Sequence, residues 1–97
     1  MASYLDMIAG HLNAPYGALV TADDVLGVLR YGAEALRGGS QAKASVLGSL
    51  FDECSPTLIE HACREAQVQP EIAAHAYASL VKLGAHRVRA WDARLAA

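Results

Sequence analysis

His61 and Cys63 are the residues best suited by type to nucleophilic chemistry, an imidazole base and a thiol two positions apart. On a helix, residues two apart point to different faces, so the pair needs a long-range contact to become a base and its thiolate. The other histidines, His11, His75 and His86, share no His-x-x-x-His spacing with it or with one another, and no zinc-type ligand set is written in the chain. Paired carboxylates are the remaining route to hydrolysis, but Asp23-Asp24 and Asp52-Glu53 sit where first and last helical turns belong. Gly38-Gly39-Ser40 lacks the strand and the Gly-Lys-Ser or Gly-x-Gly-x-x-Gly context of a phosphate cradle, and reads as a turn between helices. The expectation is a non-enzymatic protein with no catalytic residue, no metal and no cofactor.

Helices must position whatever site exists. Apolar residues form 54% of the 97 and charged residues 19%, and much of the apolar excess is alanine, the residue that loses least entropy in a helix. Ser3-Tyr4-Leu5-Asp6 reads as a capped start for a first helix bearing Tyr4, Leu5, Ile8 and Leu12 on one side and ending near Asn13, because Pro15 disfavours helical geometry before it. Thr21-Ala22-Asp23-Asp24 predicts a capping box, with Val20 and Val25 as a staple across it. From there Val25, Leu26, Leu29, Ala33 and Leu36 recur at helical steps as far as Gly38-Gly39. Ser40 opens a third helix with its stripe at Val46, Leu47, Leu50, Phe51 and Cys54, and Gly48 within it suggests a close helix contact. Ser55-Pro56 opens the fourth, with Glu60 and Arg64 paired four apart on its outer side. Pro70 opens the fifth, with Ile72, Ala76, Leu80 and Leu83 inside and Gly84 as its stop. The last, Ala85 to Leu95, buries Val88, Trp91 and Leu95. No strand pattern is present. The fold class read from these signals is all-α, a compact bundle of five or six short antiparallel helices forming a single domain over 1–97.

Within this pattern Cys63-Arg64-Glu65-Ala66-Gln67-Val68-Gln69-Pro70-Glu71-Ile72 resembles the helix-turn-helix motif, with Gln67 where such motifs usually carry glycine. The resemblance implies a DNA-binding regulator built on residues 58–82, its second helix at the base edges and phosphate contacts from Lys82, Arg87 and Arg89. The reading helix would offer Glu71, Ala74, His75 and Ala78, a poor set for base edges. Charge also opposes it: the net charge is −2 and the pI near 6.0, although Lys82, Arg87, Arg89 and Arg94 against Asp92 leave the C-terminal segment locally basic. Arg89 and Asp92 are spaced to pair at i, i+3.

Successive short helices joined by tight turns, with Ala76-Tyr77 and Leu83-Gly84 followed by Ala90 and Leu95, look like the helical hairpins of tetratricopeptide-type repeats, although the full 34-residue signature is not met. That likeness implies a groove for a peptide or a helix. A mean hydropathy of +0.20 points the same way, since a chain this short has little interior in which to hide apolar surface. The expected function is therefore a small protein-protein interaction module, adaptor-like, chaperone-like or self-associating, with a protein partner or a second copy as its ligand and DNA binding as the alternative. Leu29, Leu36, Leu50, Phe51, Ile59, Ile72, Leu80 and Trp91 are expected to be mostly core. Tyr4, Tyr16, Tyr31 and Tyr77 suit partial exposure, and with Trp91 they make up the candidate partner contacts. The sequence offers neither a readable secretory signal nor a 20-residue apolar span, and its two cysteines show no disulfide spacing, which together predict a cytoplasmic protein away from membranes.

Overall fold

Four hydroxyl side chains start four helices. In the computed structural model, which describes residues 3–96, Ser3, Thr21, Ser40 and Ser55 each accept the backbone N–H three residues on, and Ser3 and Thr21 complete capping boxes with Asp6 and Asp24. These caps open α1 (Tyr4–Asn13), α2 (Ala22–Tyr31), α3 (Gln41–Gly48) and α5 (Pro56–Glu65). Between α3 and α5 lies a single turn, α4 (Leu50–Glu53), while α6 (Pro70–Lys82) and α7 (Arg89–Ala96) complete the chain. Pro56 and Pro70 occupy first-turn positions, where a missing N–H costs nothing. The described residues contain no strand. The six helices of eight to thirteen residues make an all-helical bundle with a radius of gyration of 12.1 Å, and no helix is long and apolar enough to cross a membrane.

The second predicted helix is divided. It stops at Tyr31, and a 3-10 helix, Gly32–Leu36, takes over. Gly32 adopts φ 59°, and a Cβ built there would lie 2.9 Å from Ser79 Oγ and 3.1 Å from Ala76 Cα. Ser79 Oγ then accepts the Ala33 N–H at 3.0 Å. The break is therefore imposed by α6, pressing its Ala76-Ser79 face against the bare glycine backbone. The third predicted helix is divided too, at Ser49, whose hydroxyl donates to the Val46 carbonyl at 2.8 Å and so competes for a helical acceptor. Gly48 marks no close contact, because a Cβ added to it meets nothing within 4 Å.

Helix α6 lies at the centre, against α2, the 3-10 helix, α5 and α7, and α1 packs on α2 and α5 of its own chain. The core runs through Ile8, Val25, Leu29, Leu50, Phe51, Ile59, Ala73, Tyr77, Leu80 and Trp91, and no charged or amide side chain among the described residues is buried. The loop between α1 and α2 is organised by Asn13: its Oδ1 accepts the N–H groups of Leu19 and Val20 at 2.9 and 2.8 Å, and its Nδ2 donates to the Val20 carbonyl at 2.8 Å.

Both α5 and α6 end in a Schellman motif. The Val68 N–H reaches back to the Cys63 carbonyl and Gln67 to Arg64; likewise Ala85 reaches Leu80 and Gly84 reaches Val81. Gly84 takes the left-handed position at φ 114°, but in α5 that position falls to Gln67 at φ 60°. The small residue, turn and valine of the helix-turn-helix resemblance are thus the parts of a helix stop, with Cys63 and Val68 both buried beneath it.

Candidate functional site

The residues that carry chemistry by type are not gathered. Cys63 is buried and His61 exposed, as their spacing requires, and the His61 ring is stacked on Tyr4 at 5.4 Å. Burial pushes the Cys63 thiol upward, and drives the Cys54 thiol up to about 11, so neither approaches the thiolate form a nucleophile needs. Nε2 of His11 lies 3.4 Å from Glu53, while His75 and His86 are exposed on other elements. No three His, Cys, Asp or Glu side chains among the described residues are placed to share a metal ion.

Two of the candidate partner contacts lie inside the protein. Tyr77 and Trp91, each 1% exposed, form an internal aromatic cluster with Phe51, which meets Trp91 edge-on at 5.0 Å and Tyr77 at 5.7 Å. Their elements explain the correction. The Tyr77 hydroxyl accepts the Val88 N–H at 2.6 Å and donates to Asp92 at 3.0 Å, so its polar tip finds partners within the fold and has no need of the surface. Arg87 closes the network with two hydrogen bonds to Asp92, taking the place predicted for Arg89. Trp91 Nε1 has no acceptor. Tyr4, at 37% exposure, is occupied by its stack on His61, and its backbone N–H donates to Glu65. Tyr16 and Tyr31 are well exposed but line none of the three grooves described below.

The basic residues are dispersed as well. Arg87 is neutralised by Asp92 and Arg94 by Glu60 at 3.1 Å, which leaves the predicted Glu60–Arg64 pair unformed. Lys82 and Arg89 make no ion pair among the described residues.

An unpredicted residue stands between two of the grooves. Leu83, expected inside, is 66% exposed. It is the cap residue after the last helical position of α6, where the chain leaves the inward stripe and turns into Gly84. Ile72 and Leu95, also expected inside, are 37% and 39% exposed. Leu36 is half-buried beside Leu83, and the two leucines form a ridge with a groove on each side. The first, of about 430 Å³, is lined by Gln41, Ala44, Ser45 and Gly48 of α3, then Ser49, Asp52, Leu80, Ala85 and His86. Ala44, Gly48 and Ala85 carry almost no side chain and so leave space in it. The second, of about 360 Å³, lies between Ala33, Glu34 and Arg37 on one wall and Ser79 and Lys82 on the other. Only the Leu83-Gly84 pair hinted at this in the sequence: a leucine directly before a left-handed glycine sits at a helix end, where the inward face is already lost.

A third groove, between α5, α6 and α7, is floored by Trp91 and bridged by the Arg94–Glu60 pair. Compared with protein-family models, curated proteins and solved structures, the chain matches none.

Proposed function

We propose that this chain is a small, non-enzymatic protein-protein interaction module of the cytoplasm, binding through the inter-helix face centred on Leu83. The observation that carries the reading is a fully aliphatic side chain, 66% exposed, raised between two grooves that are themselves lined by Leu36, Leu80, Ala33, Ala44 and Ala85. Burying such a leucine is favourable by about 1.5–3 kcal/mol relative to leaving it in water. Unlike Tyr16 and Tyr31, it has no polar tip to hydrate. A photo-reactive side chain at position 83, introduced into the protein in its native cells, tests this. Covalent adducts are expected from position 83 and not from exposed Thr57 on α5, away from the two grooves; absence of adducts at 83 overturns the reading.

A second reading, DNA binding, rests on the sequence resemblance over α5 and α6, which are joined by a turn with Gln67 in the left-handed conformation at φ 60°. Against it, Glu60, Glu65 and Glu71 stand on that same helix pair, and Arg87 is already engaged by Asp92. Retention on duplex DNA that falls steeply as salt rises, and disappears on replacing Arg87 and Arg89, would establish it in place of the first.

A further inference from the structure

The two grooves beside Leu83 are opposite in charge. The α3-side groove is walled by Asp52 and His86, and Asp52 makes no ion pair among the described residues, so this wall is acidic. The 3-10-side groove is walled by Glu34, Arg37 and Lys82. Glu34 and Arg37 offset each other at 3.2 Å, which leaves Lys82 as an unmatched cation. Leu36 and Leu83 line both grooves and form the ridge between them.

This arrangement is self-complementary under one particular rotation. A two-fold axis lying in the plane of the face and running along the ridge sets the leucines against copies of themselves and lays the acidic groove of one copy on the basic groove of the other. It does so twice, because in an isologous contact each residue receives what it gives. An axis across the ridge would instead oppose Lys82 to Lys82 and Asp52 to Asp52, and like charges held together are unfavourable. The acidic groove also has room: Gly48 leaves its floor open, with nothing within 4 Å of a built Cβ, and a lysine can lay its aliphatic stem along apolar surface while its ammonium reaches a carboxylate at the edge.

We infer that the occupant of the Leu83 face is a second copy of this chain, packed about a two-fold axis along the Leu36–Leu83 ridge, with Lys82 of each copy against Asp52 of the other. The inference rests on the binding reading of that face given above. The contact is confined to one ridge and two grooves, and the dimer is accordingly a weak, reversible one with a dissociation constant in the micromolar range.

Sedimentation equilibrium on the full chain, from micromolar to millimolar concentration, tests it. The wild type is expected to pass reversibly from monomer to dimer, and Leu83→Asp to stay monomeric with an unchanged circular dichroism spectrum. Lys82→Asp and Asp52→Lys are each expected to weaken self-association about tenfold, since each places like charges at both pairing positions. Mixing these two variants is the decisive step: the mixture pairs opposite charges again and is expected to form a heterodimer about tenfold tighter than the self-association of either variant alone. A mixture that remains monomeric, or a wild-type dimer indifferent to Leu83→Asp, overturns the inference. A strictly monomeric wild type that still gives position-83 adducts with other proteins discards the second copy and leaves the binding reading in place. A monomer with no such adducts discards both.

Discussion

Tyr77 and Val88 are joined at 2.6 Å, the valine N–H donating to a phenolic oxygen buried beneath α7. The same hydroxyl donates a hydrogen bond to Asp92 at 3.0 Å, so one oxygen fixes both the approach to the last helix and its first turn. Tyr77→Phe keeps the ring and its contacts with Phe51 and Trp91 but strands the Val88 N–H. A loss of about 1–3 kcal/mol in unfolding free energy is expected by urea denaturation at neutral pH. An unchanged midpoint would show that these hydrogen bonds do not hold in solution.

Gly32 is the glycine whose bareness the fold requires. Its φ of 59° and the 2.9 Å approach of Ser79 leave no place for a methyl group, and Gly32→Ala is expected to cost about 2–4 kcal/mol. Gly48→Ala is the matched control: its surroundings are open, and it is expected to stabilise by about 0.5–1 kcal/mol through helix propensity alone. Thermal unfolding of the two variants should move in opposite directions.

Gln67 occupies the left-handed stop of α5 at φ 60°, a conformation that costs a side chain about 1–2 kcal/mol and glycine almost nothing. Gln67→Gly is therefore expected to raise stability by about 1 kcal/mol after allowing for the greater freedom of glycine in the unfolded chain. Gln67→Val, β-branched, is expected to lower it. Equal midpoints for all three would mean that the turn differs in solution.

Acid should weaken the fold partly through α2. The Asp24 carboxyl is held below its ordinary value of 3.8, chiefly by the backbone N–H of Thr21, with help from the Thr21 hydroxyl and from Lys43. A carboxyl whose pKa is lower folded than unfolded adds stability above the unfolded value, and loses it as the pH falls through the folded one. The contribution is present at neutral pH and disappears below about pH 4. Asp24→Asn is expected to lower stability at pH 7 by about 0.3–1 kcal/mol and to have a smaller effect at pH 2.5. Stability measured across that range checks the slope.

What the sequence disclosed was local. Ser3, Thr21, Ser40 and Ser55 announce their helices because a cap needs only the next three residues, and Pro56, Pro70 and Gly84 mark ends by their own backbone limits. What it concealed was decided across the fold. The apolar steps from Val25 to Leu36 run unbroken through Gly32, and only Ser79, 47 positions further on, reveals why the helix cannot. Arg87 rather than Arg89 pairs with Asp92 because α7 begins four residues later than its composition suggests, once Tyr77 has taken the Val88 N–H. The candidate site shows the same division. Composition and hydropathy led to the expectation of exposed apolar residues and chemistry assigned them to tyrosines, of which Tyr77 is buried, whereas the exposure of Leu83 is set by the geometry of a helix end.

The segment from Ala85 to Ala96 is tied to the rest of the bundle through the Tyr77 hydroxyl, which bonds Val88 and Asp92, the Arg94–Glu60 pair and the buried Trp91 ring, with α6 as its principal neighbour. The indole nitrogen inside that berth has nothing to bind, which makes the docked state less favourable than its tight packing suggests. Amide protons of this segment are therefore expected to exchange with solvent earlier than those of α2 and α6, an order that hydrogen exchange read by mass spectrometry checks.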